Sequence, residues 1–357
     1  MKTLKILSLF VMLAGVAIPA YAEETTTRPV RDRSGYCWDA TQMDRFVASL
    51  KETAPESTKD LPPLVAGISP HADYRVAGRV YYPLYQKITA PEVVIFGVTH
   101  RKTREKLGQP QDKLIFDTYT DWQGPYGKIR VSPLREYLQK QLGPKYCMVS
   151  DEAHRMDHSI EGLLPFLQNA KKDVRITPIL VTAMSFDTME TVSAKLADAM
   201  TAYMKSNHLE PGRDIFFLIS ADANHYGKDF NNLHFGEGAA AHEKATAHDR
   251  QLMKTYLQGP ITTTKLKKLT EQLWGKDFKD YGNVVWCGQY TIPFGLLTIH
   301  HVMEKSTPDK PLLGHPFSYG DSYTDSHTPS KLPGLKPHTS SSLKHWFGYL
   351  SAGFYVP

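Results

Sequence analysis

VVIFGV at residues 93–98 is an unbroken apolar run that leads directly into Thr99 and His100. Strands that are buried on both faces of a sheet have this near-continuous apolar character. Amphipathic patterns with helical spacing, the longest from Met189 to Met204, separate this run from others of its kind. The other apolar runs lie at residues 64–69, 174–181, 215–220 and 283–286. This alternation predicts an α/β protein, a single-domain sandwich whose mostly buried sheet is flanked by helices.

The first 22 residues have the composition of a secretory signal peptide. Lys2 and Lys5 supply a positive start, residues 6–18 are almost entirely apolar, and residues 20–22 read Ala-Tyr-Ala, a small-x-small cleavage pattern. The apolar segment is too short to span a membrane comfortably. We therefore expect residues 1–22 to be removed during export and the mature protein to be periplasmic.

The rest of the chain, residues 23–357, is expected to form one domain, because no linker divides it. Residues 305–341 are rich in Pro, Ser, Gly and His, which predicts an extended loop or wrap. Residues 342–357 are predicted to contain a strand that closes the sheet. Exported proteins can form disulfides, so Cys37 and Cys147 could pair, although the sequence does not decide whether they do.

The composition argues against several classes of protein. Apolar residues make up 41% of the chain and charged residues 22%, a balance that supports a packed core and excludes global disorder. The net charge of +5 is spread along the chain without a Lys/Arg tract, so a nucleic-acid partner is not expected. No segment after the leader reaches about 18 consecutive apolar residues, so no further membrane span is predicted. These patterns leave the oligomeric state open.

Four of the apolar runs end in residues that can bind metals or transfer protons. His71 and His100 follow two of them, Asp222 follows a third with His225 close behind, and Cys287 follows the last. Ligands of open α/β sheets bind beyond the carboxyl ends of the strands, so these side chains could converge on one point. Imidazole, thiolate and carboxylate all bind transition metals. Each residue alone has an ordinary structural interpretation, such as a helix cap or an inert buried thiol, but their coincidence favours a metal site.

Two further features place polar groups near predicted helix N-termini. Gly288 is followed by apolar residues at helical spacing, which predicts that the Cys287 sulfur lies at a helix N-terminus, where thiolate is stabilised. His158 and Glu161 are three positions apart, so on a helix they would share a face and could orient a ligand or shuttle a proton. An ordinary first turn capped by Ser159 explains the same residues equally well.

Five motifs resemble the Memo-like family, whose bacterial members include AmmeMemoRadiSam system protein B. The motifs, in chain order, are SPHADYRVAG, IFGVTH, DHSIEGLLPFLQ, ISADANHYG and WCG. The resemblance covers residues 65–302 and the C-terminal strand. It implies the fold of class III extradiol dioxygenases, an α/β sandwich with a metal pocket at one end of the sheet. Asp73 and Asp157 stand where the family has Gly and Glu, so the resemblance does not extend to a shared substrate.

The resemblance also implies roles for individual residues. The metal ligands would be His71, His100 and Cys287. The catalytic residues of the pocket would be Asp222, His225, His158 and Glu161. One transition-metal ion is implied, copper or iron, with zinc as a further choice. A cysteine in place of the carboxylate of the dioxygenases moves the site toward softer metals such as copper.

These residues support three functions. The first is a mononuclear iron or copper oxidoreductase with open positions for O2 and a small-molecule substrate, in which His225 is the acid/base and Asp222 orients it. The second is a copper-binding or redox-sensing protein without turnover, because thiolate favours Cu(I). The third is a hydrolase or transferase in which Cys287 is the nucleophile. A vestigial pocket in a partner-binding protein is a fourth interpretation, for which the sequence identifies no surface.

Overall fold

The computed structural model describes residues 26–51, 61–279, 282, 284–325, 335 and 341–357. The predicted signal peptide at residues 1–22 lies outside these ranges. Among the helices that are described, none combines the length and the apolar character that a membrane crossing requires.

The described residues form thirteen strands and ten α-helices. The strands are β1 Thr27–Arg28, β2 Leu64–Ser69, β3 Glu92–Val98, β4 Leu114–Phe116, β5 Asp121–Gly124, β6 Gly127–Val131, β7 Cys147–Val149, β8 Arg175–Val181, β9 Ile215–Ser220, β10 Asp222–Gly227, β11 Gly259–Pro260, β12 Leu313–Asp321 and β13 His345–Tyr355. The α-helices are α1 Ala40–Lys51, α2 Tyr74–Tyr85, α3 Arg101–Lys106, α4 Leu134–Tyr146, α5 Asp151–Met156, α6 Leu164–Ala170, α7 Phe186–Ser206, α8 Ala239–Tyr256, α9 Thr263–Leu273 and α10 Thr291–Ser306. Short 3-10 turns lie at Glu161–Leu163 and Lys228–Phe230.

All thirteen strands belong to one mixed sheet. Its main path runs β1-β5-β6-β8-β3-β9-β2-β13-β12-β11, with β10 paired to β13, β4 paired to β8, and β7 paired to β4. The central strands β8, β3, β9 and β2 are parallel, whereas β13 is antiparallel to β2 and to β12. The parallel centre aligns the carboxyl ends of β2, β3 and β9 at one edge, which is where a ligand site is expected.

Both faces of the central sheet are buried, as the apolar runs predict. In β9, Phe217 and Ile219 belong to one core cluster, whereas Phe216 and Leu218 belong to the other. Helices α4, α7, α8, α9 and α10 contribute to the first cluster, and α1, α2 and α6 contribute to the second. The predicted single-domain α/β sandwich with a buried, helix-flanked sheet is therefore confirmed.

The predicted strands differ from the observed ones mainly at the last apolar run. Of residues 283–286, Asn283 lies outside the described residues, and Val284, Val285 and Trp286 form no strand. A single bridge joins Trp286 to Asn224. The prediction of a fifth strand there is wrong, because these residues pack as a buried turn against β10 and do not extend the sheet.

The C-terminal part of the chain is more regular than its composition predicts. Residues 305–341 were expected to form an extended loop or wrap, but α10 continues to Ser306 and β12 occupies Leu313–Asp321. Residues 342–357 contain β13, which lies between β2 and β12. Composition misleads in this region because Pro, Gly and Ser within β12 fit next to β13, where the pairing register shifts.

The thiols of Cys37 and Cys147 are free. Cys37 belongs to the core cluster beneath α1 and α2, and Cys147 belongs to the cluster on the other side of the sheet. The pairing that the sequence left open is therefore not present in the structure.

Candidate metal centre

Two histidines reach the same edge of the sheet because the strands before them are parallel to a common neighbour. Ser69 at the end of β2 pairs with Ser220 at the end of β9, and Phe96 in β3 pairs with Ile219 in β9. His71 follows β2 by two residues, and His100 follows β3 by two residues. The sheet thus places both imidazoles at its carboxyl edge from opposite sides of β9.

Cys287 is placed at this edge of the sheet by backbone hydrogen bonds to β10, because no strand in the described part of the chain leads into it. Its backbone N–H donates to the carbonyl of Ala223 at 3.2 Å, and the N–H of Gly288 donates to the carbonyl of Asp222 at 3.3 Å. Cys287 lies in a turn four residues before Thr291, the first residue of α10. The sulfur is therefore held by β10 in a turn that leads into the helix, and not at the helix N-terminus that the spacing predicts.

The three predicted ligands come together. Sγ of Cys287 lies 3.4 Å from Nε2 of His100 and 3.6 Å from Nε2 of His71, and the three donor atoms all lie within 4.8 Å of one another. A tetrahedral ion bonded to nitrogen at about 2.0–2.1 Å and to sulfur at about 2.3 Å would separate these atoms by about 3.5 Å. The observed spacing therefore fits a single transition-metal ion.

The outer ring nitrogens of both histidines are occupied. Nδ1 of His71 lies 2.8 Å from Oγ of Ser220, and Nδ1 of His100 lies 2.9 Å from Oδ1 of Asp157. Such partners hold the ring and its tautomer so that Nε2 faces the ligand position. Asp157 also accepts hydrogen bonds from the backbone N–H of His100 at 2.8 Å and from Oγ1 of Thr103 at 3.1 Å, so its carboxylate is itself fixed.

Burial and neighbouring charges set different protonation tendencies for the two imidazoles. Burial, together with the rings of His100 and His158, holds the pKa of His71 well below its usual value. Burial also opposes a charge on His100, but Asp157 and Cys287 outweigh it and raise the pKa of that ring well above 6.5. Burial likewise disfavours the Asp157 carboxylate, but His100 reverses this effect and lowers its pKa. In the metal-free site, burial therefore favours the neutral form of His71, whereas Asp157 and Cys287 favour the protonated form of His100.

Asp222 lies against the first ligand. Oδ1 accepts a hydrogen bond from the backbone N–H of His71 at 2.9 Å, and Oδ2 lies 3.6 Å from Nε2 of the same residue. Burial raises the pKa of Asp222 to about 7, although the hydrogen bond from His71 opposes the shift. Asp222 is thus placed to orient His71 or to contribute an oxygen near the ion.

His225 lines the same region without contacting the sulfur. Within the described part of the chain, Nε2 of His225 is buried and has no hydrogen-bond partner, and the ring lies edge-on to Phe230 and Phe347. Burial, with a contribution from His100, lowers its pKa to about 3. The hydrogen-bonding neighbours of the Cys287 sulfur are His71 and His100, which does not match a thiol nucleophile activated by His225.

His158 stacks directly on the second ligand. Its ring lies 4.4 Å from that of His100 at an interplanar angle of 9°, and 5.6 Å from the ring of His71. His158, His100 and Asp157 form a second group whose ligand atoms lie close together. Burial, followed by the charge of His100, lowers the pKa of His158 to about 3, so an uncharged imidazole ring lines this side of the site.

Glu161 occupies a different position from the one that the sequence suggests. His158 lies in a loop before the 3-10 turn that Glu161 begins, so the two residues do not share a helix face. The buried carboxylate of Glu161 is ion-paired with Arg28 and accepts backbone N–H bonds from Arg31 at 2.9 Å and Asp32 at 2.7 Å. The expectation that His158 and Glu161 act together from one helix face is therefore wrong, because Glu161 is engaged by the N-terminal part of the chain.

Sequence reasoning missed three residues that orient the site. Ser220 and Asp157 bind the outer nitrogens of the ligands, and Arg28 donates to the Asp157 carbonyl at 3.0 Å. The sequence signal for Ser220 is its position at the end of an apolar strand, two residues before Asp222. Nothing in the spacing of Arg28 indicates that it reaches a loop about 130 positions away, since only packing determines that contact.

Comparison with known proteins relates the chain to one family. The sequence pattern of the family described as "Memo-like protein" matches residues 34–310. A MEMO1 family protein of Pyrococcus abyssi is 32% identical over 181 residues, which cover 48% of this chain and 56% of that protein. One from Aquifex aeolicus is 30% identical over 159 residues, which cover 44% and 52% of the two chains. The chain spans little more than half the length of these curated relatives.

Proposed function

The chain belongs to the Memo-like family, and we propose that it binds one transition-metal ion through His71, His100 and Cys287 and acts as an oxidoreductase. The observation that carries the proposal is the approach of one sulfur to two imidazole nitrogens, at 3.4 and 3.6 Å. The nitrogens face the sulfur while their rings are held from behind by Ser220 and Asp157, which is the arrangement of ligands in metal sites.

Copper and iron are the proposed metals, with zinc as a further choice. The donor set of two imidazoles and one thiolate suits a borderline or soft ion better than magnesium or calcium, which prefer oxygen ligands. Three protein ligands leave at least one position free, as in catalytic rather than structural sites. When bound, the ion would supply a Lewis-acidic and redox-active centre for O2 or a small-molecule substrate.

The protein's own residues would handle protons and orientation. His225 is neutral, and its buried Nε2 has no partner among the described residues, so it is placed to hydrogen-bond a substrate hydroxyl and orient it at the centre. Asp222 holds the backbone of His71 and can keep or release a proton near neutral pH. The stacked ring of His158 excludes water from one side of His100.

We further propose that the protein works in the periplasm. The support is the leader at residues 1–22, with its two lysines, apolar centre and Ala-Tyr-Ala ending. Fractionation of cells that express the untagged chain, with N-terminal sequencing of the mature product, tests the proposal. A product that begins after Ala22 in the periplasmic fraction is expected, whereas an intact leader in the cytoplasm would contradict export.

Metal analysis of the untagged protein tests the main proposal. We expect close to one equivalent of copper or iron, and recovery of one equivalent when chelated protein is titrated anaerobically. Oxygen uptake by the iron- and copper-loaded forms, measured with a panel of small hydroxylated substrates, then tests turnover. Protein that contains no metal and gains none on titration would remove the proposal.

The cysteine ligand favours a second candidate, a copper-binding or redox-sensing protein without turnover. A thiolate stabilises Cu(I), and the carboxylate of Asp222, although it lies 3.6 Å from Nε2 of His71, is not one of the three clustered donor atoms. Tight Cu(I) binding, measured by competition with a chelator, together with no oxygen uptake in any metal form would favour this function over the oxidoreductase.

A further inference from the structure

The N-terminal segment, residues 26–38, packs against two loops that surround the candidate metal centre. We propose that this segment holds the metal ligands in place, and that Arg28 and Tyr36 are positioning residues for His100 and His71. The inference rests on the proposed metal-binding function. It assigns a role to a region that lies mostly before residue 34, where the family match begins.

Arg28 binds the backbone at the end of α5, where the chain enters the loop that begins with Asp157. Its Nε donates to the carbonyl of His154 at 2.8 Å, and its Nη2 donates to the carbonyl of Asp157 at 3.0 Å. The guanidinium also lies over the ring of Trp122, 4.3 Å from the centroid. Asp157 orients the ring of His100, so Arg28 acts on this ligand indirectly, by holding Asp157 in place.

The carboxylate of Glu161 binds the same N-terminal segment at three points. The side chains of Glu161 and Arg28 are 0% and 2% exposed, and the carboxylate accepts from the Arg28 guanidinium and from two backbone N–H groups of the segment. Burial of an ion pair costs free energy unless hydrogen bonds satisfy both groups, and removal of one partner leaves an uncompensated buried charge. The pair therefore specifies one docked position of the segment.

Tyr36 connects the segment to the loop of the other ligand. Its hydroxyl donates to the carbonyl of His71 at 2.5 Å, and the adjacent Gly35 carbonyl accepts from the N–H of Tyr74 at 2.9 Å. The Tyr36 ring packs so closely on Gly162 that a Cβ there would lie 2.8 Å from it. Tyr36 thus touches the His71 loop and the 3-10 turn that follows His158 at the same time.

These contacts make the N-terminal segment a brace between the loops of the two histidine ligands. Arg28 and Glu161 fix it to the Asp157 loop, and Tyr36 fixes it to the His71 loop. The sheet positions the ends of β2 and β3, but the side chains beyond those ends depend on loop conformation. Loss of the brace should therefore loosen the spacing of the two Nε2 atoms without removing a ligand.

The test compares metal binding by wild type, Arg28→Met and Tyr36→Phe in the full chain. Each metal-free protein is titrated with Co²⁺, whose thiolate charge-transfer and visible bands report sulfur bonding and geometry. Arg175→Met is the matched control, because it removes an ion pair with the buried carboxylate of Glu92 at the opposite end of β3. Urea unfolding of all four proteins separates stability from metal affinity.

We expect Co²⁺ affinity to fall about 10- to 100-fold in Arg28→Met and about tenfold in Tyr36→Phe, with altered visible bands in both. Arg175→Met should lose stability and keep wild-type affinity and spectrum. If both variants bind Co²⁺ as wild type does, the inference is overturned while the metal function stands. If wild type itself binds no Co²⁺, both are overturned. Should Arg28→Met fail to fold, the isosteric Tyr36→Phe decides the outcome alone.

Discussion

Nε2 of His100 lies 3.4 Å from Sγ of Cys287, although 187 positions separate the two residues in the chain. The same sulfur lies 3.6 Å from Nε2 of His71, across 216 positions. Parallel strands bring the two histidines to one edge of the sheet, and the edge of β10 brings the cysteine. The proposed function depends on this meeting point, and each of the following predictions changes one residue that creates it or supports it.

Replacement of the sulfur tests its role as a ligand. Cys287→Ser should reduce copper affinity by more than about 100-fold, because loss of a ligand costs more than loss of its supporting partner. Anaerobic Cu(I) titration against a competing chelator measures the change. Cys147→Ser is the matched control, since Cys147 is a buried free thiol outside the cluster, and it should bind copper as wild type does. Equal affinity of Cys287→Ser and wild type would exclude the sulfur as a ligand.

Asp157→Asn should weaken metal binding by about 10- to 100-fold, because Nδ1 of His100 loses its carboxylate partner. The same substitution changes the pH dependence of the metal-free protein. Asp157 helps to raise the pKa of His100 above its unfolded value near 6.5, so the stabilisation is complete below that pH and is lost as pH rises through the folded pKa.

Urea unfolding of metal-free wild type and metal-free Asp157→Asn, at pH values on both sides of 6.5, measures the effect. The stability advantage of wild type over Asp157→Asn should be largest between about pH 4, where unfolded Asp157 ionises, and pH 6.5, and it should shrink as pH rises further. An advantage that grows with pH would show that the pair does not hold a proton in the folded state.

Trp286 tests how the turn that carries Cys287 is held. The indole Nε1 donates to Oδ1 of the buried Asp249 at 2.8 Å. Trp286→Phe should cost about 1–3 kcal/mol in the free energy of unfolding and should weaken metal binding, because Cys287 is the next residue. Trp346→Phe is the control, because among the described residues its buried Nε1 has no hydrogen-bond partner. If Trp346→Phe weakened metal binding as much as Trp286→Phe, the loss would reflect indole volume and not the hydrogen bond.

Asp249 should give the protein a component of stability that decreases with pH. Burial raises its pKa to about 7, although hydrogen bonds from Trp286 and Tyr319 oppose the shift. From the unfolded pKa near 3.8 up to about 7, the folded state holds a proton that the unfolded state has lost, so stability falls as pH rises.

In Asp249→Asn this component is absent, so relative to wild type the variant should gain up to about 1.4 kcal/mol for each pH unit between those limits. Thermal or urea unfolding at several pH values provides the measurement. A difference between the two proteins that stays constant with pH would mean that Asp249 is ionised throughout.

The sequence was sufficient to predict the features that depend on local patterns. The apolar runs at Leu64–Ser69 and Ile215–Ser220 match β2 and β9 residue for residue, because strands buried on both faces need uninterrupted apolar side chains. Polar residues placed directly after such strands must lie at the carboxyl edge of a parallel sheet. His71 and His100 were identified for that reason, and their mutual contact follows from strand order.

Features that depend on packing between distant segments were not predictable. Glu161 reads as a partner of His158 at helical spacing, yet a loop replaces the helix and Arg28 takes the carboxylate. The run ending at Trp286 has the composition of a strand but forms a turn, because the edge of β10 supplies only a few backbone hydrogen bonds to it. No periodicity carries information about contacts across more than 100 positions.

X-ray absorption spectroscopy of the untagged protein, loaded with one equivalent of copper or iron, tests the metal centre most directly. We predict one sulfur scatterer at about 2.3 Å and two imidazole nitrogens at about 2.0 Å from a single ion, with the sulfur signal absent in Cys287→Ser. A first shell of oxygen and nitrogen alone, or a sulfur signal that survives in Cys287→Ser, would contradict the site.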